Sequence, residues 1–162
     1  SFSTKEGRIL YMGLSEDIKQ DKFRSNRQKA AINIIYTNNW LSERMRDFLA
    51  DDDLTLQQFN VLRILRGSYP APLSTLQIRE RMLDKMSDTS RIVDRLIKKE
   101  LVSKKTCKMD KRLVDICITG SGLDLLDKLD AKSSQIEIHM GSLSEEEAGL
   151  LSNLLDKARA RE

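Results

Sequence analysis

Several of the residues that build catalytic and metal sites are nearly absent from this sequence. It holds two cysteines, Cys107 and Cys117, and one histidine, His139. Two cysteines exclude a disulfide-stapled scaffold. One histidine beside two hairpin cysteines lacks the spacing of a zinc site, so no metal or cofactor is expected. A Ser-His-Asp set would have to run through that single histidine, and there is no glycine-rich phosphate loop, so the chain is not expected to be an enzyme. Two prolines and seven glycines leave little scope for long interrupted loops. No apolar run reaches the roughly 18 residues of a membrane helix, and Ile9–Leu14 is too short for a signal-peptide core. A soluble cytoplasmic protein without membrane contact is the expectation.

What is present is charge, unevenly placed. Of 162 residues, 33% are charged and 40% hydrophobic, enough for one core under a helical surface, as one domain or one domain with an appendage. From Asp84 to Arg112 the local charge is +5, against +3 for the whole chain, so the remainder is acidic. Two helix starts lead into this region. At Leu73-Ser74-Thr75-Leu76-Gln77-Ile78, Ser74 and Gln77 can cap each other's backbone, and Leu73 can pack on Ile78. At Met86-Ser87-Asp88-Thr89, Ser87 is the expected N-cap and Asp88 favours the dipole from the first turn. In the helix that follows, over 87–99, Thr89, Ile92, Val93, Leu96 and Ile97 recur as one apolar stripe. Ser87, Arg91, Asp94 and Lys98 therefore point the other way, flanked by Arg95. Two β-branched runs, Leu101–Ser103 and Leu113–Ile118, bracket a lysine-rich tip and read as a basic hairpin. A helix-turn-helix beside such a hairpin accounts for the concentrated positive charge by contact with double-stranded DNA.

These residues resemble a known family. Asp110-Lys111-Arg112, the alternating strand to Ile118 and Thr119-Gly120-Ser121-Gly122 are similar to the wing signature of the MarR family of transcription regulators. Ser90–Leu96 with Leu101-Val102 resembles that family's recognition helix and its exit, and the resemblance covers roughly Thr55 to Leu129. It implies a mainly α winged helix-turn-helix protein with a two-stranded β wing and terminal dimerisation helices. It also implies a homodimer acting as a sequence-specific regulator on a pseudo-palindromic operator, open to modulation by a small aromatic effector. Ser74 and Thr75 would then lie at backbone phosphates, with Ser87, Asp88, Ser90 and Arg91 nearest the bases and Arg95 and Lys98 nearer phosphate. In the family the residue between Asp and Arg often enters the minor groove; here it is Lys111, beside Lys108, while Arg112 can lock the tip onto Asp110.

The flanks divide the chain into 1–50, 54–119 and 120–162. Ser1–Gly7 reads as a loose arm and Leu10–Ile18 as a short helix or strap. A long helix is expected from about Asp21 to Ala50, with Ala30, Ile34, Leu41, Met45, Phe48 and Leu49 near heptad spacing. It is longer than one compact domain needs and suits a subunit interface. Leu54–Phe59 carries a second capping box and staple, opening a helix that should stop at Gly67 and Pro70. Thr119–Met140 reads helical, with Leu126, Leu129, Ile136 and Met140 on a seam and Gly141 as its end. A third box at Leu143–Glu147 opens a leucine stripe through Leu155. The aromatic set Tyr36, Trp40, Phe48 and Phe59 with Met45 either lines an effector pocket or is plain core. Cys107 sits among lysines, so it is either a small hairpin residue or a redox-sensitive thiol. The alternative to a DNA reader is a winged-helix module for protein partners, which high salt would weaken less.

Overall fold

Hydroxyl and carboxylate caps set most of the helix starts. The computed structural model describes residues 4–5, 8–9, 13–106, 114–132 and 141–160. Its elements are β1 (Thr4–Lys5), β2 (Arg8–Ile9), α1 (Leu14–Asp17), α2 (Asn26–Ala50), α3 (Leu56–Ser68), α4 (Thr75–Arg81), α5 (Thr89–Lys98), β3 (Val102–Thr106), β4 (Val114–Ile118), α6 (Gly120–Ala131) and α7 (Glu145–Arg159). Thr55 with Gln58, Ser74 with Gln77 and Ser144 with Glu147 each form the reciprocal box that the sequence predicts. No helix among the described residues is long and apolar enough to cross a membrane.

The chain forms two units, Ser1–Arg44 and Met45–Glu162. In the first, β1 pairs antiparallel with β2, and Leu14 is the one buried residue among those described. Arg44 stacks on Trp40 with its guanidinium carbon 4.2 Å from the ring centre, and Lys29 lies over Phe23 at 5.3 Å.

In the second unit α3 is the central element, packed against α4, α5, β4 and α6. Its Val61, Leu62 and Leu65 meet Ile78, Leu96, Ile116, Leu126 and Leu129 in one fully buried cluster. Both staples close on this core, since Leu54 and Phe59, and Leu73 and Ile78, belong to it. The wing strands β3 and β4 run antiparallel from Val102 opposite Ile118 to Thr106 opposite Val114. Leu73 exchanges both backbone hydrogen bonds with Ile116, at 3.0 and 2.9 Å, and so fastens the start of α4 to the wing. The α5 stripe is seated as predicted: Thr89, Val93 and Leu96 are buried, with Ile92 and Ile97 packed beside them.

Five boundaries differ from expectation. Thr4–Lys5 and Arg8–Ile9 form a hairpin where a loose arm is expected, because two-residue strands are too short to write a periodicity. The long helix starts at Asn26, where Ser25 Oγ accepts the Gln28 N–H at 3.2 Å. α3 runs through Gly67 to Ser68 and stops at Tyr69, held extended by Pro70. The helix after the wing ends at Ala131, with Lys132 as its C-cap, short of the expected Met140; Ile136, His139 and Met140 lie outside the described residues. The N-cap of α5 is Asp88, with the helix at Thr89–Lys98, because the Ser87 hydroxyl donates to Asp84 Oδ2 at 2.8 Å instead.

Three helix ends use the left-handed region without glycine, the first just past α1 with Lys19 at φ 53°. At the end of α5, Leu101 N–H reaches Leu96 O and Glu100 N–H reaches Ile97 O, with Glu100 at φ 59°. The α2 end repeats this with Asp53 at φ 49°, Leu54 N–H on Leu49 O and Asp53 N–H on Ala50 O.

Candidate nucleic-acid interface

The start of α5 and the start of α4 border one open groove of about 440 Å³. Thr75, Leu76 and Arg79 supply the α4 side, and Ser87, Asp88, Thr89 and Ser90 the α5 side. Of the predicted site residues, five therefore meet at one place: Thr75, Ser87, Asp88, Ser90 and, through Asp88, Arg91. Asp88 Oδ1 accepts the Arg91 N–H and its Oδ2 lies 3.2 Å from Arg91 Nε, which leaves the guanidinium 81% exposed with its terminal nitrogens free of that contact. Ser74 stands half-buried at the groove's edge with its hydroxyl accepting the Gln77 N–H.

Further along α5, Asp94, Arg95 and Lys98 are exposed opposite the buried stripe. Lys99, at the end, turns away to the Asp53 carboxylate at 2.7 Å. Asp52, almost wholly enclosed, pairs with Lys128 and faces Lys132 at 3.8 Å, and Arg66 of α3 bonds Asp130 of α6 at 2.6 Å. These pairs lock α3, α5, α6 and the end of α2 behind the groove. The turn before α5 is pinned too: Asp84 accepts from the Ser87 hydroxyl and the Met86 N–H, which hold its carboxyl below the ordinary range.

The wing residues Lys108, Lys111 and Arg112, and Cys107 beside them, lie outside the described residues. Cys117 is half-buried in β4 opposite Ser103. The aromatic set is divided between the two units. Phe59 is buried in the core of the second unit with Arg63 over its ring at 5.7 Å, and Met45 packs against the same core. Tyr36 is exposed and Trp40 half-buried in the first unit. Two groove residues, Leu76 and Arg79, are absent from the sequence-based set. Their signal was helical phase: once Ile78 and Met82 face the core, Leu76 and Arg79 must lie off it.

Comparison with known proteins gives the same region a family. Residues 54–114 match the MarR family. The HTH-type transcriptional regulator MhqR of Bacillus subtilis is 28% identical over 118 residues, spanning 72% of this chain and 80% of that protein. The crystal structure of a MarR transcription factor from Planctomyces limnophilus aligns with a TM-score of 0.64 at 29% identity, covering 83% of this chain and 98% of that one. Residues 54–114 are thus a segment of MarR-family type, and the winged helix-turn-helix fold is shared. A mutant of E. coli MarR complexed with operator DNA shares the fold as well, with a TM-score of 0.70 at 20% identity over 92% of this chain and 100% of that one. In this chain the helix-turn-helix is α4 and α5, and the wing is β3 and β4.

Proposed function

We propose that this protein regulates transcription in the cytoplasm by binding double-stranded DNA as a homodimer on a pseudo-palindromic operator. The observation that carries the reading is α5, which buries one clean stripe, leaves Ser90, Arg91, Arg95 and Lys98 in solvent and begins at an open groove that Ser90 lines. That a related fold is known in complex with operator DNA supports it. Ser87, Asp88, Ser90 and Arg91 approach base edges, and Arg95 and Lys98 approach phosphates. Ser74 and Thr75 set α4 on the backbone, while the wing residues Lys108, Lys111 and Arg112 reach along the duplex. Segment 54–119 is thus the reader, and 1–50 and 120–162 make the dimer.

The dimer is supported by apolar surface that one chain leaves uncovered. Across the 25 residues of α2 only Leu49 is buried, and α7 buries none. Ile34 and Ile35 on α2, with Leu150 and Leu154 on α7, are all about half exposed or more. Modulation by a small aromatic effector belongs to the same proposal; Tyr36 and Trp40 are the residues to vary, since Phe59 and Met45 serve the core. No catalytic step is assigned.

Fluorescence anisotropy on a duplex selected from random DNA tests the roles. Arg91→Ala should cost about 1–3 kcal/mol and relax preference at one position per half-site. Lys111→Ala should weaken all duplexes alike and lower the salt slope by about one per lost phosphate contact. Reversed behaviour would make the hairpin the sequence reader; no effect from either would remove DNA from the account.

A further inference from the structure

One aliphatic side chain lines the polar groove, and another stands exposed on the turn that leads into it. Leu76, on the first turn of α4, is 63% exposed, and Met86, immediately before Ser87, is 93% exposed. Leu83, on the same turn as Met86, is 87% exposed as well, whereas Ile78, Val93 and Leu96 are all at 2% or less. Met86 is not on a loose loop. Its N–H donates to Asp84 Oδ1 at 2.9 Å, and Leu83 N–H donates to Asn60 Oδ1 at 2.9 Å, so the turn presents its side chains from a fixed backbone. Leu76 shares the groove with Ser87, Asp88 and Ser90. Apolar surface held in water at a binding groove is stabilised when a ligand covers it.

The occupant follows from the surroundings. Arg79 lines the groove, and Arg91 and Arg95 are exposed on α5, whose start borders it, which suits a polyanion. In the major groove of duplex DNA the apolar group on offer is the 5-methyl of thymine. We propose that Leu76 and Met86 form an apolar lip that reads thymine methyl groups, adding a specificity determinant to the polar contacts of α5. This rests on the DNA-binding reading above. It explains why aliphatic residues are tolerated on a face otherwise made of hydroxyls and charges.

The test uses the full chain and its selected operator, with deoxyuridine replacing thymidine one position at a time. That exchange removes only the methyl group. The parent should lose about fourfold in affinity at one or two positions per half-site, the worth of one buried methyl. Leu76→Gln, Met86→Ala or both should bind the thymidine and deoxyuridine duplexes equally at those positions. The salt slope should stay unchanged, because no phosphate contact is lost. Leu76→Met, which keeps apolar bulk, should retain the discrimination. Both side chains are exposed, so unchanged denaturation midpoints accompany these effects. If the parent binds its operator but discriminates at no thymine, or if Leu76→Gln and Met86→Ala both keep the fourfold preference, the lip is wrong and the DNA reading stands. If the parent does not prefer the selected duplex to a scrambled one, the DNA reading fails and the lip with it.

Discussion

Replacing Gly122 by alanine should destabilise the protein even though alanine favours helix. Gly122 is the third residue of α6, and a Cβ there would overlap Leu101 O and stand 2.7 Å from Ile118 Cγ1. Neither neighbour can yield cheaply. Leu101 O accepts the Thr119 N–H at 3.1 Å, and Ile118 is a buried residue of the core strand. Overpacking of this kind costs about 3 kcal/mol, and displacing the carbonyl forfeits a hydrogen bond worth about 1 kcal/mol. Alanine's helix propensity returns about 1 kcal/mol. The net loss is about 3 kcal/mol, which at a urea m-value of about 2 kcal/mol/M lowers the midpoint by about 1.5 M. Gly120, two residues earlier, has nothing within 4 Å of its would-be Cβ, so Gly120→Ala should gain about 0.4–1 kcal/mol. Urea unfolding of both variants at one protomer concentration separates steric need from propensity. A Gly122→Ala midpoint at or above that of the parent would refute the argument.

Glu100→Gly should stabilise by about 1 kcal/mol, because Glu100 holds φ 59° at a helix end that glycine adopts without strain; an unchanged or lower melting temperature would contradict this. Removing Leu143 to Glu162 should give monomers or aggregates by light scattering and abolish tight operator binding, and a truncated chain that stays dimeric would be against it. Asp84 is held below the ordinary carboxylate range chiefly by the Ser87 hydroxyl and then by the Met86 N–H. Its depressed folded-state pKa means that this contribution is complete above the ordinary carboxylate value and is lost as pH falls through the lowered one. Ser87→Ala should therefore raise the Asp84 pKa in an NMR titration, and no movement would show that the hydroxyl is not the cause.

What was legible in the sequence was whatever one-sided burial writes into it. The α5 stripe of Thr89, Val93 and Leu96 and the three capping boxes appear at their predicted positions, because periodicity and reciprocal caps are local signals. The α5 start slipped by one because Ser87 and Asp88 are both good caps. The choice falls to Asp88 once Asp84, outside the local motif, takes the Ser87 hydroxyl. Gly67 read as a stop, yet nothing crowds it and the helix continues until Pro70 constrains Tyr69. The Leu73–Ile116 bridge that ties α4 to the wing left no trace, since backbone pairing across more than forty residues has no sequence pattern of its own. Arg79 was legible from the phase of Ile78 and Met82, and only the short length of α4 hid it.

The central claim is that α5 enters a major groove of duplex DNA with Arg91 at a base edge. Dimethyl sulfate methylates guanine N7 in that groove, so protection of guanines in the selected operator reports the contact directly. The account predicts protected guanines in two half-sites separated by one helical turn or a multiple of it. Arg91→Ala should restore methylation at one guanine in each half-site, while Lys98→Ala leaves the pattern in place with weaker binding overall. An operator bound without any N7 protection, or a pattern indifferent to Arg91, would contradict it.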